Sequence, residues 1–77
     1  MRVIKKQNYL IQKPVVERML NNNPDKDPYS LSGVIAVATG CHILVICEFI
    51  GELKGFSPQL VDKMERLRKF YNVEKVI

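Results

Sequence analysis

At 77 residues the chain has room for one domain with a marginal core. Its 12 Lys and Arg against 8 Asp and Glu leave a net charge of +4, too mild to imply a nucleic-acid partner by itself. The two cysteines, Cys41 and Cys47, read as buried free thiols, and the position of the apolar residues argues against a secretory signal peptide.

Residues 1–29 form a first unit, an N-terminal arm with a short helix. VIKKQNYLI reads as a short strand or an irregular arm. Arg2, Lys5, Lys6 and Lys13 all precede the first acid, Glu17, and such a basic, acid-poor start is similar to a mitochondrial targeting segment. A single Arg and the absence of Ser weigh the other way. Pro14 is expected to open a helix, where its missing N–H costs nothing. Val15, Val16, Met19 and Leu20 give that helix an apolar face. Asn21-Asn22-Asn23-Pro24 ends it, since Asn tolerates the left-handed conformation and Pro forbids continuation. A polar connector, PDKDPY, follows.

The dominant feature comes next. From Pro28 to Cys47 there are 20 consecutive residues without Asp, Glu, Lys or Arg. An uncharged run of that length predicts a membrane-spanning helix over residues 30–55, started by Ser30 or Ser32 and stopped by Gly55. Such a helix is roughly 37 Å long, against about 30 Å of hydrocarbon. The fold class expected is therefore all-α: a single transmembrane helix between the short N-terminal helix and a C-terminal amphipathic one. Gly33, Gly40 and Cys47 recur every seven residues, with Ala36 and Gly51 near the same stripe. A stripe of small residues lets a second membrane helix approach closely, so these five are the expected helix-packing positions.

Residues 56–77 hold the C-terminal amphipathic helix and a tail. Ser57 caps the helix and Pro58 takes its first position. Leu60, Val61, Met64, Leu67 and Phe70 (or Tyr71) form its apolar face. Asp62 with Arg66, and Glu65 with Lys69, are i,i+4 ion pairs on the other side. Asn72 ends the helix, and Val73 to Ile77 can form a strand.

An alternative architecture reads the same run as two strands, Val34 to Ala38 and His42 to Ile50, joined by a hairpin at Gly40-Cys41. The whole is then an α+β ferredoxin-like β-α-β-β-α-β unit. Neither strand alternates apolar with polar residues, which counts against a sheet covered on one face.

Candidate chemistry is sparse. His42 is the sole histidine, and Glu48 and Glu52 share a helical face near the end of the run; these three are the expected polar positions near the membrane. Glu52-Leu53-Lys54 resembles the Glu-x-Lys end of a PD-(D/E)xK nuclease core. That family also needs an upstream Asp on the preceding strand, and Gly33 to Ala38 supply none, so the resemblance is not adopted. No phosphate-binding glycine loop, zinc spacing or nucleophile–base pair is present, and no catalytic, metal or cofactor site is expected.

The function expected is that of a non-catalytic accessory subunit stabilising a larger membrane complex, a respiratory-chain or ATP-synthase assembly being one setting. Its partners are other membrane protein subunits and the lipid bilayer, without a small-molecule substrate. The expected location is a membrane, with the mitochondrial inner membrane in view. Under the α+β alternative the protein is cytoplasmic, an oligomeric interaction or nucleic-acid-binding module.

Overall fold

The structure is a computed structural model that describes residues 2–4, 9–71 and 73–76, with side chains described over 12–71. The chain is helical. Strand β1 (Arg2–Ile4) leads to helix α1 (Tyr9–Asn21), and a 3₁₀ turn (Pro28–Leu31) runs into α2 (Ser32–Thr39). Helices α3 (Ile43–Lys54) and α4 (Pro58–Tyr71) follow, and strand β2 (Val73–Val76) closes the order. The two short strands pair in parallel, Arg2 opposite Val73 and Ile4 opposite Val76, with an irregularity after Arg2.

The uncharged run is not one helix. Gly40 takes a left-handed conformation (φ 71°) and ends α2, while His42 is extended and starts α3. At 8 and 12 residues, α2 and α3 are roughly 12 and 18 Å long, well short of a bilayer core. Among the described residues no helix is long and apolar enough to cross a membrane. The expected transmembrane helix over 30–55 is thereby corrected to a 3₁₀ turn and two helices joined at Gly40-Cys41. The hairpin alternative places the break correctly but not the elements, because both halves are helical.

The lack of charge has a different cause. Helix α3 is the centre of the molecule and packs against α1, α2 and α4. Leu44, Val45, Ile46, Cys47, Phe49, Ile50 and Gly51 are all buried, so α3 is apolar on nearly every side. A helix enclosed all round needs no polar stripe. Val16 and Leu20 of α1, Leu31 and Ile35, and Leu60 and Met64 of α4 complete the core around it.

Other boundaries follow local chemistry. Helix α1 begins at Tyr9, so Pro14 lies inside it rather than at its start. Of residues 1–13, read as a strand or arm, Arg2–Ile4 form β1 and 9–13 the first turns of α1, while 1 and 5–8 lie outside the described residues. The helix ends at Asn21 as the Asn-Asn-Asn-Pro stretch implies. Ser57 caps α4 by accepting the Leu60 N–H at 3.2 Å, and Asp62 pairs with Arg66 at 3.2 Å. Gly55 stops α3 with φ 97°. Tyr71 rather than Phe70 completes the core face of α4: Tyr71 packs on the core, whereas Phe70 is 79% exposed.

Candidate functional site

Helix α2 carries no charged residue, yet it is buried only along Ser32 and Ile35. Val34 and Val37 on its outer side are 63% and 86% exposed. Beside this face lies a notch of about 430 Å³ lined by Gly33, Ala36, Val37, Cys41, His42, Ile43 and Tyr71. Glycine and alanine form its α2 wall, which is why there is room. The turn that shapes its far end is held by short bonds: the Gly40 N–H donates to the Ala36 carbonyl at 3.0 Å, and the Thr39 hydroxyl donates to Ile35 at 2.7 Å.

His42 starts α3 by accepting the Leu44 N–H at Nδ1, 3.2 Å away. An accepting Nδ1 places the proton of the neutral ring on Nε2. The ring stands edge-on to Tyr71 with centroids 4.7 Å apart, and Tyr71 in turn meets Phe70 edge-on at 4.9 Å. This aromatic series joins the start of α3 to the end of α4.

On the other side of that series is a second concavity of about 420 Å³, lined by Tyr29, Lys63, Arg66, Leu67 and Phe70. Its inner end is well ordered by hydrogen bonds. The Lys63 ammonium donates to the Ser32 hydroxyl at 2.7 Å and to the Tyr29 carbonyl at 2.9 Å. It also lies 5.8 Å from the centre of the Tyr29 ring. Ser32, fully buried, donates onward to Tyr29 O at 2.8 Å. Cys47 sits behind Ser32. Burial pushes its thiol up from the ordinary value of 9.0, with the Ser32 hydrogen bond and the Lys63 charge pulling partly back.

The small-residue stripe is divided by the turn. Gly33 and Ala36 line the notch, Gly40 forms the turn itself, and Cys47 and Gly51 lie in the core on α3. Gly51 does allow a close approach, but the group it admits is the Phe56 ring from the following loop rather than a second helix. Of the three polar positions, His42 forms the rim of the notch and Glu48 is half-buried. Glu52 forms an ion pair with Lys13 at 3.2 Å. Lys54, the other end of the nuclease-like tract, donates to Asn21 Oδ1 at 3.3 Å, and both residues lie on a helix rather than a strand. No three His, Cys, Asp or Glu side chains among the described residues come together to hold a metal ion.

Tyr29, Lys63 and Arg66 were not among the expected positions. A signal for two of them existed: Lys63, Arg66, Leu67 and Phe70 follow the i, i+3, i+4, i+7 spacing of one helical face. The contribution of Tyr29, from a turn more than thirty residues away, carries no local signature. Comparison with known proteins finds no family model, no curated sequence and no solved structure that matches this chain.

Proposed function

We propose that this protein is a non-catalytic accessory subunit that helps hold a larger assembly together, with the outer face of α2 and its notch as the seat of a partner subunit. The observation that supports this is the exposure of Val34 and Val37 on a helix that has no charge on any side. A helix apolar all round is normally enclosed, and covering these two valines recovers about 2 kcal/mol. The notch suits an aliphatic side chain from a partner helix, with Gly33 and Ala36 giving depth. Such a partner docks by apolar anchors, with the His42 and Tyr71 polar atoms at the edge.

A membrane-bound assembly, with the mitochondrial inner membrane as its setting, is the form of this proposal that the basic start supports. Contact with lipid then comes through the partner subunits rather than through a spanning helix of this chain.

The test is the size of the particle that contains the protein in extracts of its native source, with and without Val34→Asp/Val37→Asp. The wild type is expected to sediment far above its own 8.9 kDa. The double variant should fall to the monomer position while keeping the same circular dichroism, because both positions face outward. A wild type that sediments as a monomer, or a double variant that stays in the particle, refutes the proposal.

A further inference from the structure

The concavity beside α4 has a chemistry unlike that of the notch. Lys63, Arg66, Leu67 and Phe70 face it from α4, and Tyr29 closes it from the 3₁₀ turn. Among the described residues no carboxylate lines it, and the one beside it is Asp62, paired with Arg66. Glu65 lies roughly 200° around the helix from Lys63 and so points away. The groove thus offers two cations, two aromatic rings and an aliphatic floor.

Each group is placed for a different part of one ligand. Phe70 is 79% exposed, with one edge against Tyr71, and presents an aromatic face to solvent. Lys63 spends two of its three donors on Ser32 and Tyr29, which holds its charge at the inner end of the groove with a donor to spare. Arg66 is tethered at the outer end by Asp62 at 3.2 Å, a surface pair of little strength that a better anion can displace. An exposed ring that follows two cations along one helical face matches a planar base joined to phosphates. An acidic peptide uses the cations but not the ring.

We propose that this groove binds single-stranded nucleic acid, one base stacking on Phe70 while Lys63 and Arg66 hold the adjoining phosphates. Stacking carries most of the selectivity for a strand, and the cations make binding salt-dependent. This activity is separate from the seat on α2 and does not depend on it.

Fluorescence anisotropy of a labelled thymidine decamer with the full chain at about 50 mM salt tests it. Binding is expected for the wild type. Phe70→Leu, which keeps bulk without the ring, is expected to weaken it roughly tenfold, and Phe70→Trp to retain it. Arg66→Gln should lower the slope of log affinity against log salt by about 0.7, the loss of one phosphate contact to a single strand. Asp62→Asn releases Arg66 and should tighten binding severalfold. All three positions are solvent-facing, and an unchanged circular dichroism spectrum verifies the fold of each of the four variants.

Absence of binding overturns the proposal, and so does a Phe70→Leu variant that binds like the wild type. Equal affinity for thymidine monophosphate and the decamer assigns the groove to free nucleotides and overturns the strand reading. Retention on phosphatidylserine vesicles that survives Phe70→Trp and Phe70→Leu alike, with no anisotropy change for the decamer, overturns it in favour of a lipid surface.

Discussion

At the scale of single residues, the polar group that matters most lies inside the core. Ser32 is fully buried, and its hydroxyl is shared between Lys63, Tyr29 and Cys47. A buried hydroxyl is costly unless partnered, and here every bond is made; no buried side-chain nitrogen or oxygen among the described residues lacks a partner. The consequence for Cys47 is a pH dependence of stability. Its folded pKa is raised above the ordinary 9.0, so above that pH the unfolded state gives up the proton first. The stabilising effect of the neutral thiol is complete below 9.0 and is lost as pH rises beyond it. Urea unfolding of wild type and Cys47→Ala should differ by roughly 1 kcal/mol near pH 7 and by visibly less near pH 10. A gap that stays constant over that range would count against the burial of this thiol. Cys47 was legible in the sequence as a buried free thiol, as it is, but its neighbours were not, because the contact that joins Ser32, Cys47 and Lys63 spans α2, α3 and α4.

At the scale of elements, what could be read depended on how each helix is exposed. Helix α4 has solvent on one side, so its caps and spacing place it correctly; of the face expected for it, Val61 and Phe70 are exposed. Helix α3 is covered on nearly all sides, so it has lost the polar stripe that marks a soluble helix, and α2 is uncharged as well. Two such helices in succession look like one long apolar segment. The turn between them was visible at Gly40-Cys41, yet glycine there suits a hairpin as well as a helix end. A pair of substitutions separates a turn from a continuous helix. Gly40 has φ 71°, and an added Cβ meets nothing within 4 Å, so Gly40→Ala carries conformational strain alone. It should lower stability by about 1 kcal/mol. Gly33 is helical with equally open space around it, and Gly33→Ala should raise stability by up to about 1 kcal/mol through helix propensity. In an unbroken helix both alanines would stabilise, so thermal denaturation of the two variants decides the matter.

At the scale of the whole molecule, the helices gather around α3, and β2 touches both α3 and α4. Helices α1, α2 and α4 each contact α3, and the core of the described side chains runs from Val16 to Met64. Ending the chain after Tyr71 removes β2 and leaves β1 without its partner, but it keeps the core residues from Val16 to Met64. The truncated chain should retain most of its helical circular dichroism and a cooperative urea transition at a lower midpoint, since two short paired strands are marginal on their own. Complete unfolding on truncation would mean that the ribbon, rather than α3, organises the molecule. The candidate site is divided in the same way. Gly33 and Ala36, from the small-residue stripe, and His42, from the polar positions, meet at the notch within one stretch of chain, whereas the groove beside α4 needs Tyr29 from a distant turn.

The parallel pairing of β1 with β2 also sets an order in time. The α2–α3 and α3–α4 contacts join segments that are neighbours along the chain and can form early, whereas α1 reaches α3 across the connector and α2. The pairing of Arg2 with Val73 must close nearly the whole chain into a loop, which is the slowest kind of contact to make. During synthesis, β1 emerges first and then waits until β2 has left the ribosome. In that interval its edge is open to any other strand, so the N-terminal segment is the part of a nascent chain most exposed to mispairing.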